Sequence, residues 1–93
     1  MMGGQGMMGG GYNAASLGIN LTNGQVGNSD QAVAIAKAYV QKLNTGLAVD
    51  ELHEFSDSYE VELKDAKTGE KVYEFMIGKS GGVIFTEYFS INI

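Results

Sequence analysis

The strongest constraint on the fold is the stretch from Tyr59 to Ile77, which reads as one β-hairpin. Its first arm, Tyr59-Glu-Val-Glu-Leu-Lys64, alternates strictly: Tyr59, Val61 and Leu63 take one side, Glu60, Glu62 and Lys64 the other. A period of two is the pattern of a half-buried strand. The second arm, Lys71 to Ile77, puts Tyr73, Phe75 and Ile77 on one side. Asp65 and the Thr68-Gly69 pair between the arms supply turn chemistry, because Asp bonds its own backbone and Gly accepts positive φ. A hairpin with one apolar face needs a cover, and the remaining chain has to provide it.

The cover is a helix. Asn28, Ser29 or Asp30 can cap its start, with Gln31 placed three residues after Asn28 as in a capping box. At 100° per residue Ala32, Val33, Ile35, Ala36, Tyr39, Val40 and Leu43 share one broad face, while Gln31, Ala34, Lys37, Ala38 and Gln41 share the other. Gly46 is the expected left-handed stop. From Leu47 to Phe55 the pattern weakens, because Val49, Leu52 and Phe55 do not share a parity. Either a strand begins near Glu51 or it carries a bulge. After the hairpin, the segment Gly78-Lys-Ser-Gly-Gly82 is a second turn, and Val83 to Phe89 is a last strand rich in β-branched and aromatic residues. The expected fold is α+β, one helix packed on an antiparallel sheet of about four strands.

The first third is different. Residues 1–12 are almost all Gly and Met, and 14 glycines in a 93-residue chain leave a folding unit smaller than the chain. This divides the chain into a Gly/Met-rich, extended leader (1–27) and a domain (28–93). The leader includes a strand-like segment, Ser16 to Thr22, in which Leu17, Ile19 and Leu21 alternate with Gly18, Asn20 and Thr22. Two fates are open to it: a local loop that packs its leucines on the domain, or a strand that pairs with a sheet edge.

Composition excludes several functions. With no cysteine there is neither a disulfide nor a thiolate metal site. A net charge of −5 with only 6 Lys and Arg argues against nucleic acid. No apolar run approaches the roughly 18 residues of a membrane span. The start lacks the basic and apolar regions of a signal peptide, so a secreted form is expected to have lost its signal already. Glu60 and Glu62 lie on an outward strand face without the pocket that acid–base work requires. Ser80 sits in a turn with no helix after it, so it is no nucleophile elbow. No catalytic residues and no cofactor are expected. The metal candidates are weak: Met1, Met2, Met7 and Met8 as soft ligands for Cu(I), and His53, the single histidine, beside Asp50, Glu51 and Glu54.

The order helix, strand, tight hairpin, short strand resembles PepSY domains. The matching residues are Asp30-Gln-Ala-Val-Ala-Ile-Ala36 in the helix, Tyr59-Glu-Val-Glu in the second strand, and Asp65 with Thr68-Gly69 at the hairpin. The last turn, Gly78-Lys-Ser-Gly-Gly82-Val83, is similar to the family's acid-x-x-Thr-Gly-x-Val turn, with Gly78 replacing the acid and Gly81 the Thr. The likeness covers about Ser29 to Phe85. It implies a cystatin-like helix-on-sheet fold, a place outside the cytoplasm, often a Gly/Met-rich leader, and binding or inhibition of peptidases.

Apolar side chains left over on the sheet point to protein interaction. Val72 and Met76 oppose Phe75 and Ile77, and Ile84 and Tyr88 oppose Val83, Phe85 and Phe89. Ile91 and Ile93 continue the pattern, and Glu87 is the one charge from Val83 to Ile93. Such an edge is sticky. The expected activity is therefore non-enzymatic: β-strand addition, with copies of itself as partners and filaments as one outcome. The expected surface is Leu17, Ile19 and Leu21 together with Val72, Met76, Ile84, Tyr88, Ile91 and Ile93. A soluble peptidase inhibitor or regulator is the first alternative and Cu(I) binding by the leader the second.

Overall fold

The computed structural model describes residues 11–86. One helix, α1 (Ser29–Leu43), packs on a four-stranded antiparallel sheet of β1 (Leu47–Glu54), β2 (Ser58–Asp65), β3 (Lys71–Gly78) and β4 (Ile84–Phe85). The strands lie in chain order, a meander whose connections are all turns. The helix starts as its sequence suggests. The Asn28 side chain accepts the Gln31 N–H at 2.9 Å, and the Gln31 side chain reaches back to the Gly27 N–H. The first bond satisfies one of the backbone donors a helix start leaves free, and the second ties down the N–H of the residue just before the cap rather than that of the cap itself. The stop is two residues earlier than Gly46: Asn44 takes the left-handed conformation (φ 52°, ψ 51°) and its N–H bonds the Val40 carbonyl. Gly46 is also at positive φ (77°), but it turns the chain into β1.

The core follows the helical and strand periods. Ala32, Ile35, Ala36 and Tyr39 of α1 meet Tyr59, Val61, Leu63, Phe75 and Ile77 of the hairpin, all buried. Tyr39 stacks edge-on against both Tyr12 and Phe75, at centroid distances of 5.4 and 4.9 Å. Such pairs add to the burial term. Tyr73 shares the Phe75 side but lies beyond the helix and stays exposed.

Ile84 corrects an expectation. It is buried in the core opposite Ile77, and Phe85 and Val83 are the exposed residues. The reason is the turn: the Gly78 N–H bonds the Val83 carbonyl, and the register that follows pairs Ile77 with Ile84 and Met76 with Phe85. Paired residues share a face. β4 is also short, and its expected continuation to Phe89 falls outside the described residues.

The segment from Gly11 to Gly27 is neither an extended leader nor a strand. It is a run of turns and irregular chain with a single 3₁₀ turn, Thr22–Gly24, followed by one isolated antiparallel bridge between Gln25 and Ser80. Asn13 and Ser16 bond each other reciprocally: each backbone N–H meets the other side chain, at 2.9 and 2.8 Å. Positive φ at Gly18, Asn23 and Gly24 breaks the alternation that suggested a strand. Four backbone hydrogen bonds tie this segment to the β3–β4 region: Ala14 N–H to Gly81 O, Val26 N–H to Lys79 O, Gly81 N–H to Gly24 O and Ile84 N–H to Tyr12 O. Ala14 and Val26 are buried with the core, and Leu17, Ile19 and Leu21 pack on it half-buried. The leucines thus take the first of their two fates, and the core extends back beyond residue 28 to Tyr12.

Candidate functional site

Two β-bulges shape the sheet face that α1 leaves open. On β1 the register runs Val49 to Leu63 and then Glu51 to Glu62, so Asp50 is the extra residue. On β3 it runs Tyr73 to Leu63 and then Lys71 to Lys64, so Val72 is extra. A bulge reverses the parity of everything beyond it. The first puts Glu51 and His53 on the outer face, in line with Glu62 and Glu60. The second brings Lys71 to the same face, away from Tyr73.

The result is a charged cluster across three strands. Glu51, Glu62 and Glu74 stand abreast in one rung. Like charges directly opposite repel, and Lys71 meets that cost: its Nζ lies 2.7 Å from Glu62 Oε1, 3.7 Å from Glu51 Oε1 and 4.0 Å from Asp50 Oδ2. The ammonium is the partner of a Glu62 oxygen that is itself shielded from solvent. The other oxygen of Glu62, Oε2, lies 3.3 Å from His53 Nε2, and Glu51 Oε1 lies 3.4 Å from the same nitrogen. Lys71 holds the Glu62 carboxyl below its ordinary range, and Glu62 in turn raises Lys71. Glu60 is pushed the other way, by partial burial first and then by the neighbouring Glu74. Two carboxylates two residues apart on β2 therefore differ in proton affinity, one beside the Lys71 ammonium and the other partly buried beside Glu74.

On the opposite face Glu54 leaves the His53 group and bonds Lys79 Nζ at 2.7 Å. The Lys79 ammonium lies 5.2 Å from the centre of the Tyr59 ring, within cation–π range.

The second notable surface is apolar. Among the described residues, four of the five large exposed hydrophobic residues, Val72, Tyr73, Val83 and Phe85, lie on β3 or in the β4 region, and Phe55 is the fifth. Met76 is half-buried beside its partner Phe85, whose ring covers Gly78. β4 pairs only with Met76 and Ile77, so the β3 edge from Lys71 to Phe75 has no further strand among the described residues. An apolar groove next to it is lined by Tyr39, Leu43, Thr45, Leu47, Val72 and Tyr73.

Of the residues singled out from sequence, Val72 and Met76 lie on this edge, whereas Ile84, Leu17, Ile19 and Leu21 belong to the core or pack on it. Tyr88, Ile91 and Ile93 lie outside the described residues, as do Met1, Met2, Met7 and Met8. Sequence reasoning missed the partnership of His53 with Glu62. The signal for it is the parity break before Glu51, which fits either a bulge or a late strand start and which the register identifies as a bulge. No helix among the described residues is long and apolar enough to cross a membrane. Comparison with protein-family models, with curated proteins and with solved structures gives no match.

Proposed function

We propose that the protein is a non-enzymatic interaction module, working outside the cytoplasm, that adds a strand from another chain along its β3 edge. The supporting observation is the coincidence of the edge from Lys71 to Phe75, unpaired among the described residues, with Val72, Tyr73, Val83 and Phe85 exposed around it. Unmade backbone hydrogen bonds give such an edge affinity, and the apolar side chains beside it add buried area. Copies of the chain are the first partners. Leu17, Ile19 and Leu21 pack half-buried on the chain's own core, which argues against their serving as the donor strand. A pair related by a two-fold axis, edge to edge, is the simplest closed arrangement, and a filament needs a second, different surface. Amide hydrogen exchange tests this: Lys71 to Phe75 should gain protection as concentration rises, while the β1 edge does not. Equal protection at all concentrations contradicts it.

A second reading is the peptidase inhibitor or regulator implied by the PepSY resemblance, and the helix-on-sheet architecture favours it. That reading needs no self-association, so a monomer at every concentration would bring it forward.

A further inference from the structure

We propose that Glu51, His53 and Glu62 form a site for a divalent transition ion of the zinc class. The three donor atoms lie within 4.8 Å of one another on the outer face. His53 Nε2 is 3.4 Å from Glu51 Oε1 and 3.3 Å from Glu62 Oε2. These separations are longer than the roughly 2.7–2.9 Å of a strong charged hydrogen bond. They match a tetrahedral centre, where bonds of about 2.0–2.1 Å place neighbouring donors about 3.3–3.4 Å apart.

The backbone supplies the preorganisation. His53 and Glu51 alternate on one strand, and Glu62 is the direct cross-strand partner of Glu51, in a register set by the Asp50 bulge. The Lys71 ammonium pairs with the other oxygen of Glu62 at 2.7 Å, and Oε2 lies on the side of the imidazole. One nitrogen and two carboxylate oxygens, with solvent completing the shell, suit zinc and disfavour magnesium, which prefers six oxygens and keeps its waters. Sequence alone grouped His53 with Asp50, Glu51 and Glu54 and argued against a tight site. The fold replaces Glu54 with Glu62, a carboxylate paired on its other oxygen with the Lys71 ammonium. His53 and Glu51 are about half-exposed and Glu62 largely buried, so the site stands open to solvent on one side.

The test is calorimetric titration of the full chain with zinc chloride, alongside nitrogen NMR of the His53 ring. We expect one ion per chain and a shift at Nε2. H53A and E62Q should each weaken binding by about tenfold or more, the scale on which perturbing a ligand set acts. E54Q removes the same charge as E62Q from a carboxylate on the other face, and should leave affinity unchanged. Magnesium should produce neither heat nor shift. The proposal is overturned if binding does not saturate, if H53A binds as the parent does, or if E54Q weakens binding as much as E62Q. The last result would mean that net charge alone attracts the ion.

Discussion

Ala14 closes directly over Gly82. A β-carbon built on Gly82 would lie 2.9 Å from the Ala14 methyl and 2.9 Å from Ile35 Cδ1, and Gly82 is itself at φ +62°. One glycine thus lets the N-terminal segment, the β3–β4 turn and the helix meet at a single point. Gly82→Ala adds overpacking to left-handed strain, and should cost about 2–5 kcal/mol. Gly69, at φ +78° with nothing near its missing β-carbon, is the control for strain alone. Gly69→Ala should cost about 1–2 kcal/mol. Urea melts of the two variants check the difference.

The core prediction concerns both layers. Ile35 and Phe75 are fully buried against each other's elements, so Ile35→Ala or Phe75→Ala should cost about 2–5 kcal/mol, from lost transfer energy plus a cavity. Ala34 lies on the exposed face of α1, and Ala34→Ser should change stability by less than about 0.5 kcal/mol. Denaturant midpoints in the reverse order would mean that the helix faces the other way.

Alkaline pH should lower the protein's stability through Tyr39. Burial, and then the neighbouring Tyr73 and Tyr12, raise its phenol above the ordinary value of 10.0. The folded state therefore holds this proton where the unfolded chain has released it. The stability contribution is complete below about pH 10 and is lost as pH rises toward the folded value. Lys79, raised above 10.5 by its hydrogen bond to Glu54, acts with the same sign in the same window. Tyr39→Phe should flatten the loss of stability above pH 10, measured as the urea midpoint at successive pH values.

The hairpin and the helix were legible because each keeps its own period without interruption: Tyr59, Val61 and Leu63 at two, Ile35, Tyr39 and Leu43 at about four. Asn28 and Gln31 marked the helix start for a chemical reason that the structure bears out. The outer-face cluster was harder to see. The Asp50 bulge leaves a break in parity, and the Val72 bulge leaves a fainter one: Lys71 is charged at the parity of Tyr73, Phe75 and Ile77, while Val72 is apolar at that of Glu74. Ile84 was assigned to the wrong face because register across the second turn depends on two consecutive positive-φ glycines, Gly81 and Gly82, rather than on hydrophobic pattern. The alternation of Leu17, Ile19 and Leu21 came from turns, where every second side chain also happens to reach the core.

Molecular mass in solution tests the proposed interaction most directly. Light scattering on the intact chain across a wide concentration range should give a mass above that of the monomer, rising with concentration. A variant with Val72→Lys and Phe85→Lys should remain monomeric, since both side chains are exposed at the edge and neither belongs to the core. Leu17→Asp should instead lower stability, because that residue packs on the chain's own core. An intact chain that stays monomeric at the highest concentration reached, with the same mass as the double-lysine variant, would contradict strand addition between copies.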